Sequence, residues 1–186
     1  NVRAVESGRK KVFSRILYYL WAVFSSIAAI CIAALAIINS TWIYSIIVSK
    51  YRLAEVTAVS EEALIRDYKG LINYLQNPFI DKLNFENFTI STYGEIHFVE
   101  VKRIFLMLIL IAVIFITALA VMIIIRKNKR ANKGGLLEGF NSSSNILIGF
   151  FISIVILYLI DFSWAFTMFH KIFFRNDYWI FVPKLD

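Results

Sequence analysis

The chain has 186 residues, 59% of them hydrophobic, with a mean hydropathy of +0.68 and a formal net charge of +7. Such an apolar composition excludes an ordinary soluble domain. The positive charge does not indicate nucleic-acid binding, because neither basic segment carries the interleaved aromatic residues of such a surface. The sequence therefore predicts an all-α integral membrane protein.

Three uncharged runs are long enough to cross a bilayer, because a helix needs about 20 apolar residues to span a ~30 Å hydrocarbon core. The runs extend over residues 16–49, 104–125 and 139–160. The first run exceeds the apolar region of a signal peptide, which has about 7–15 residues. We therefore predict three transmembrane helices within a single membrane domain over residues 1–186. The predicted spans cover about 17–40, 104–125 and 145–167.

Lysine and arginine are concentrated in two short segments. Residues 1–15 and 126–133 carry five each, whereas the segment 41–103 carries seven basic and eight acidic residues. Because short cytoplasmic segments are enriched in Lys and Arg, we predict a cytoplasmic N-terminus and a cytoplasmic loop at about 126–144. The segment 41–103 and a tail at 168–186 are then external. Membrane lipids are the expected partners of the basic loop.

The external segment between spans one and two is predicted to contain an amphipathic helix from Ser60 to Pro78. Ser60 can cap its first turn, and Glu61 and Glu62 suit the positive end of the helix dipole. Asn77 and Pro78 end it. The segment is too small for a deep core of its own, so we expect it to pack on the spans or to lie at the bilayer surface. The apolar stripe at helical spacing consists of Leu64, Tyr68, Leu71, Ile72 and Leu75.

The sequence contains two histidines, His97 and His170, and the predicted topology places both at the external membrane boundary. Histidine is the side chain that most often moves protons near neutral pH. Each of the two is flanked by other ionisable groups, so we predict a catalytic role for at least one of them. A purely structural role at the interface stays open.

Other uses of these residues are weaker. A zinc site of His97, His170 and a carboxylate stays open, but the sequence has no HExxH motif and no cysteine pair at ligand spacing. A lipid phosphatase is weaker still, because only Arg103 and Arg175 lie near the histidines. The single cysteine, Cys31, falls in the middle of the first span and is interpreted as a packing residue.

Asp161 falls late in the third predicted span. A carboxylate inside a span tends to face a polar cavity or a partner. His170 follows nine residues later, on the opposite side of a continuous helix, so the two can pair only if the helix ends or bends first. A salt bridge to a neighbouring helix and a catalytic role both stay open for Asp161.

Two stretches of the chain, EIHFVEVKR at 95–103 and FHKIFFRNDYW at 169–179, resemble the two signatures of the bacterial lipoprotein intramolecular transacylases. These are small integral membrane proteins of low-GC Gram-positive bacteria, and the resemblance covers nearly the whole chain. Glu100 departs from it, because the family more often has aspartate there. The family continues into a fourth span, so we expect this sequence, which stops at FVPKLD, to be incomplete at its C-terminus.

The resemblance implies an acyltransferase without cofactor or metal. Its substrate would be a diacylglyceryl-modified lipoprotein in the outer leaflet of the cell membrane. The sn-2 acyl chain would move to the α-amine of the lipoprotein's own N-terminal cysteine, which gives a lyso-form lipoprotein. Because the attacking amine belongs to the substrate, no serine or cysteine nucleophile of the enzyme is needed.

We assign His97 as the leading candidate for the catalytic base and His170 as its partner. Glu95 or Glu100 could orient a ring, and only one of them is expected to face the site if the segment is helical. The donors that could face the oxyanion are Tyr93, Lys102, Arg175 and Asn176. The full set of supporting residues is Tyr93, Glu95, Glu100, Lys102, Asp161, Arg175, Asn176, Asp177 and Trp179.

The alternative function is a non-enzymatic membrane adaptor whose external segment binds a partner. The charged string at 91–103 would then be an anchoring collar, in which Lys102 and Arg103 reach the head groups. Replacing both histidines should leave such an adaptor working, which separates it from the enzyme.

Overall fold

The computed structural model describes residues 2–129 and 134–180, so residues 130–133 of the predicted cytoplasmic loop and 181–186 of the predicted tail lie outside them. Every regular element in these two ranges is an α-helix, which confirms the all-α prediction. The helices are α1 (Val2–Asn39), α2 (Thr41–Lys50), α3 (Leu53–Thr57), α4 (Glu61–Gln76), α5 (Thr92–Lys129), α6 (Gly134–Ile160) and α7 (Phe162–Phe173).

Three of the described helices are long and apolar enough to cross a membrane. The candidate spans are Glu6–Asn39 in α1, Thr92–Ile125 in α5 and Asn141–Ile160 in α6. A helix satisfies the hydrogen bonds of its own backbone, which is why uncharged runs of this length adopt it in hydrocarbon. The prediction of three spans is confirmed.

The chain forms two compact units, of which the first comprises residues 1–31 and 111–162. In this unit α1 and α6 meet through small polar side chains. The hydroxyl of Ser26 donates to the carbonyls of Ala22 at 2.8 Å and Ser143 at 3.3 Å, and the hydroxyl of Ser143 donates to Ala22 O at 3.0 Å. Small residues allow close approach of membrane helices, and their hydroxyls hold the helices together.

Aromatic rings join α1 to α5 in the same unit. The ring of Trp21 stacks on Phe115 with centroids 5.5 Å apart, and Phe24 meets Phe115 edge to face at 5.8 Å. Cys31 is 3% exposed, as expected for a packing residue.

The second unit comprises residues 32–110 and 163–186 and contains the predicted external helix. That helix is α4: the hydroxyl of Ser60 accepts from Ala63 N at 3.3 Å, and the helix ends at Gln76, directly before Asn77 and Pro78. Both the capping residue and the stop predicted from the sequence are confirmed.

Tyr68 of α4 is bound to the end of α1. Its hydroxyl donates to Ile38 O at 2.6 Å, which satisfies one of the carbonyls left free at a helix C-terminus. Its ring stacks on Tyr44 of α2 at 4.2 Å. Burial raises the pKa of Tyr68, and Tyr44 adds to the effect. Burial also raises the pKa of Tyr44, with a further contribution from Asp67.

The residues after α4 are held by one buried carboxylate. Asp67 is 6% exposed and accepts hydrogen bonds from Glu86 N at 2.9 Å, Asn87 N at 3.2 Å and Asn87 Nδ2 at 3.0 Å. Buried polar groups are expected to be bonded in this way. Asp67 therefore fixes the connection between α4 and α5.

The core of the second unit is shared between α4, the connection and the first half of α5. Its buried members are Tyr74, Leu75 and Leu83, and Phe98 and Phe105 of α5 pack against them. The segment that was predicted to be external therefore packs on α5, the helix that carries His97. The remaining partly buried residues of this core are Leu71, Ile80, Phe85, Ile90 and Val101.

Candidate active site

The start of α5 is fixed by a side-chain cap. The hydroxyl of Ser91 accepts from Gly94 N at 3.1 Å, so the helix begins at Thr92. Residues four and three apart lie on the same face of a helix. Tyr93, His97 and Glu100 therefore share one face of the first turns of α5.

A second group of residues comes from α7 and the turns that follow it. The helical run is interrupted at Asp161, and α7 carries His170 in its last turn. After α7, the side-chain oxygen of Asn176 accepts from Tyr178 N at 3.1 Å, and the main-chain carbonyl of Asn176 accepts from Trp179 Nε1 at 3.1 Å. Asn176 therefore organises the turns over 174–180.

The two histidines meet between these elements. Their ring centroids are 6.2 Å apart, with the ring planes at 36°. His97 is 6% exposed, and Phe174 meets its ring edge to face at 4.7 Å. Residues that are far apart in the sequence thus form one imidazole pair that is partly shielded from solvent.

The hydrogen bond of His170 determines the tautomer of its neutral ring. Its Nδ1 lies 2.8 Å from the carbonyl oxygen of Phe166, which can only accept, so Nδ1 carries the hydrogen. The lone pair of the neutral ring is therefore on Nε2. Trp179 stacks on the ring at 4.6 Å and Phe166 packs at 4.2 Å, so aromatic contacts also fix its orientation.

Glu100 connects α5 to the turns after α7. Asn176 Nδ2 donates to Glu100 Oε1 at 2.8 Å. Glu100 Oε2 is buried and has no hydrogen-bond partner within the described ranges. A second contact between the same elements is the stack of Tyr93 on Tyr178, with centroids 4.7 Å apart.

Glu95 and Lys102 lie toward the core of the second unit. Burial raises the pKa of Tyr74, and Glu95 is the next largest cause, followed by Asp81. The ammonium of Lys102 donates to Ile80 O and lies 4.5 Å from the centroid of the Tyr74 ring. Of the two glutamates, Glu100 is therefore the one bonded to the turns beside the histidines.

Some of the predicted site residues lie away from the histidine pair, and the others are brought together around it. Asp161 lies at the helix break, in the first unit, and is exposed, as are Arg175 and Asp177 after α7. Among the described residues, no group of three His, Cys, Asp or Glu side chains could hold a metal ion. The set that the structure brings together consists of Tyr93, His97, Glu100, His170, Asn176 and Trp179.

Sequence reasoning did not select three aromatic residues of the site: Phe166 and Phe174, which pack on the histidines, and Tyr178, which stacks on Tyr93. Phe166 and Phe174 flank His170 at four-residue spacing on either side, which is the helical signal that could have found them. Tyr178 lies in turns, where no periodicity marks it.

Comparison with known proteins agrees with this arrangement. A model of the lipoprotein intramolecular transacylase Lit family matches residues 19–186, which include both histidines and all the residues gathered around them. The chain belongs to this family. The resemblance drawn from the two sequence stretches is therefore confirmed.

Solved structures of Lit from Bacillus cereus, a membrane integral transacylase, share the fold. One is 28% identical over 95% of this chain and 80% of that chain, with a TM-score of 0.80. A form with a histidine-to-arginine substitution is 27% identical over 96% and 80%, with a TM-score of 0.74. A form with a histidine-to-alanine substitution is 26% identical over 97% and 80%, with a TM-score of 0.76. No curated protein sequence matches the chain significantly.

Membership in the Lit family assigns a class of activity. The chain is an integral membrane protein of an acyltransferase family that acts on lipoproteins, which confirms the predicted class of enzyme and substrate.

Proposed function

We propose that this chain transfers the sn-2 acyl chain of a diacylglyceryl-modified lipoprotein to the α-amine of the same molecule's N-terminal cysteine. The product is a lyso-form lipoprotein with an N-acyl chain. The observation that carries the proposal is the pair of imidazole rings at 6.2 Å, contributed by α5 and α7. Imidazole is the side chain that most often moves protons in enzymes, which is the work that an amine attacking an ester requires.

His97 is the general base. It takes a proton from the amine nitrogen as this nitrogen attacks the ester carbonyl, and it returns a proton to the sn-2 oxygen when the C–O bond breaks. General base catalysis is worth roughly 10²–10⁴-fold. Amine and ester are tethered in one molecule, and good orientation of such partners supplies up to ~7–11 kcal/mol of the barrier.

His170 is the second proton carrier. Its Nδ1–H is bound by Phe166 O, so Nε2 is the basic atom of the neutral ring. The stack with Trp179 keeps the ring from turning away. Tyr93 lies on the His97 face of α5 and is the candidate donor to the oxyanion. Arg175 is a further candidate, because it follows α7 and is exposed.

The reaction takes place at the external face of the cell membrane. The charge asymmetry supports this orientation: the N-terminus and the 126–144 loop are cytoplasmic, and the external segment and the histidines face the outer leaflet. The diacylglyceryl group of the substrate then lies at the depth of the histidine pair. Cysteine labelling from outside intact cells should modify an introduced cysteine at Lys82 and spare one at Arg130. The opposite result would refute the placement of the site.

The reaction is tested directly by mass spectrometry of a reporter lipoprotein's N-terminal peptide. Cells that contain the chain should yield the N-acylated lyso-form, and cells without it should yield the diacylglyceryl form with a free amine. If the peptide is identical in both, the chain is not this enzyme. Loss of the lyso-form in the His97→Asn, His170→Asn double variant would exclude the adaptor alternative.

Direct transfer within one substrate also predicts that no acyl-enzyme accumulates. When lipoproteins with labelled and unlabelled acyl chains are mixed in detergent, each chain should stay on the molecule that carried it. Cys31→Ala should remain active, because Cys31 is buried among the helices of the first unit. Scrambling of the N-linked chain between molecules would overturn the intramolecular route.

A further inference from the structure

Glu100 presents one carboxylate oxygen that the fold does not use. Its Oε1 accepts from Asn176 Nδ2 at 2.8 Å, which links α5 to the turns after α7. Its Oε2 is buried and has no hydrogen-bond partner in the part of the chain that the structure describes. Burial of a carboxylate oxygen without a bond is costly. A structural link to Asn176 alone therefore does not account for a carboxylate at this position.

The surroundings of Glu100 indicate a cationic partner. Glu100 lies one turn after His97, on the same face of α5. Of the nearby basic side chains, Lys102 donates to Ile80 O, and Arg103 and Arg175 are exposed, whereas Glu100 Oε2 is buried. Among ligands, a primary ammonium fits best, because its several N–H donors can bond a carboxylate oxygen and still reach a neighbouring imidazole.

The substrate of the proposed reaction brings such a group. An α-amino group ordinarily titrates near 7.7–8.0, so at neutral pH roughly eight to nine in ten carry a positive charge. An ammonium has no lone pair and cannot attack an ester. An enzyme that binds the predominant, charged form must therefore remove a proton from it beside the ester.

We propose that Glu100 Oε2 binds the α-ammonium of the lipoprotein's N-terminal cysteine and delivers it to His97. This inference rests on the function proposed above. The bound ammonium loses one proton to the histidine pair, which releases it to water. The neutral amine then forms the N–C bond, and its second proton passes through His97 to the sn-2 oxygen as the C–O bond breaks. Glu100 takes no part in these proton transfers.

The ion pair gives the site a preference and a means of product release. A free N-terminus is bound and an N-acylated one is not, because an amide carries no positive charge. Acyl transfer therefore abolishes the interaction with Glu100. The product leaves the site more readily than the substrate, and mature lipoproteins with an N-acyl chain do not compete for it.

Binding of two unreactive probes to the purified full chain in detergent tests this role. Both are diacylglyceryl-cysteine lipopeptides with ether links in place of the esters, one with a free α-amine and one N-acetylated. At pH 6.5 the wild-type chain should bind the free amine about tenfold more tightly, as expected for a charged hydrogen bond. The preference should fall as pH rises above 8, where the amine becomes neutral.

Three variants complete the experiment. Glu100→Gln keeps an oxygen for Asn176 and removes the charge, so it should bind both probes equally. Glu100→Asp keeps the charge on a shorter arm and should retain a preference. Glu86→Gln is the matched control, because Glu86 is an exposed carboxylate that pairs with Arg66 in the same unit, and its preference should equal the wild type's.

The inference fails if the wild-type chain binds both probes equally at pH 6.5, a result that requires no variant to fold. It also fails if Glu100→Gln keeps the full preference, because the preference would then not depend on the charge of Glu100. Acyl transfer on an ester substrate, followed by mass spectrometry, reports separately on the proposed function. Transfer by a wild-type chain that lacks the preference would refute the role of Glu100 and leave the reaction standing.

Discussion

The two units of this membrane protein use polar groups in different ways. In the first unit, the hydroxyls of Ser26 and Ser143 donate to main-chain carbonyls and carry no charge. In the second, two imidazoles and a carboxylate meet among aromatic residues, and one oxygen of that carboxylate has no hydrogen-bond partner in the part of the chain that the structure describes. Fully bonded groups such as these hydroxyls, or Asp67 in the second unit, hold the fold together, whereas a cluster of titratable groups with an unbonded buried oxygen is typical of a site of chemistry. Substitutions in the first unit should therefore change stability, and those beside the histidines should change activity.

The largest effect is expected from His97→Asn. Removing a general base lowers the rate roughly 10²–10⁴-fold, while an asparagine can still form hydrogen bonds beside Phe174, so the thermal unfolding temperature should change little. His170→Asn should have a smaller effect, because Trp179 and Phe166 retain the shape of the site. The rate of acyl transfer on a purified lipopeptide measures both.

Lys171→Asn is the matched control, because Lys171 is exposed and lies on the same helix beside His170. Its rate should equal that of the wild type. Full activity in both single variants and in the double variant would end the acid–base hypothesis and remove the contrast between the two units.

The second-largest effect is a loss of stability in the unit that carries the site, and it is expected from Asp67→Asn. Asp67→Asn leaves one oxygen for Glu86 N, but its amide nitrogen then faces the donors of Asn87. Loss of bonds to a buried charged acceptor should lower the free energy of unfolding by about 2–3 kcal/mol. Thermal unfolding in detergent measures it. Asp81→Asn is the control, because Asp81 is exposed, and an equal loss in both would show that the connection is not held by Asp67.

The sequence predicted α4 correctly, since a capping serine, an apolar stripe and an Asn-Pro stop all agreed. The same reasoning did not resolve α2 and α3. The uncharged run over 16–49 continues through the end of α1 at Asn39, and a hydropathy pattern cannot distinguish one helix from two. The break between α1 and α2 lies at Ser40, whose hydroxyl donates to Ala36 O at 2.6 Å.

Only part of the candidate site could be predicted, because a sequence pattern identifies residues more readily than it identifies their contacts. Both histidines follow from their scarcity and their predicted depth in the membrane. The link between Glu100 and Asn176 depends on turns with no periodicity, so the sequence could name these residues and could not pair them. Lys102 was a candidate donor by proximity in the sequence, yet it lies five residues after His97 and its side chain is bound by Ile80 O. Helical spacing could have shown this, because residues five apart do not lie on the same face of a helix.

The third effect tests the contact between α4 and the end of α1. Tyr68→Phe removes the hydrogen bond to Ile38 O and keeps the stack on Tyr44, so it should lower the free energy of unfolding by about 1 kcal/mol. Burial raises the pKa of Tyr68. The bond therefore contributes fully below the unfolded value of about 10 and is lost as pH rises through the higher folded value.

Thermal unfolding of the Tyr68→Phe variant and the wild type at pH 7, 9 and above 10 measures this difference. The gap between them should be constant up to pH 9 and should close at higher pH. Tyr51→Phe is the control, because Tyr51 is 61% exposed and should show no gap at any pH. A gap that widens with pH would contradict the assigned role of the hydroxyl.

The smallest effect is expected in the first unit, from Ser143→Ala. The hydroxyl of Ser143 donates to Ala22 O at 3.0 Å, but the same carbonyl also accepts from Ser26 at 2.8 Å, so it stays satisfied. Side-chain hydrogen bonds between membrane helices average about 0.6 kcal/mol, and the expected loss is of that size. Ser153→Ala on the same helix is the control, because its hydroxyl donates to Gly149 O within α6 itself. Acyl transfer should be unchanged in both variants. A loss of activity in Ser143→Ala without a loss of stability would show that the contact between α1 and α6 contributes to the chemistry, and the division between a structural and a reactive unit would then be wrong.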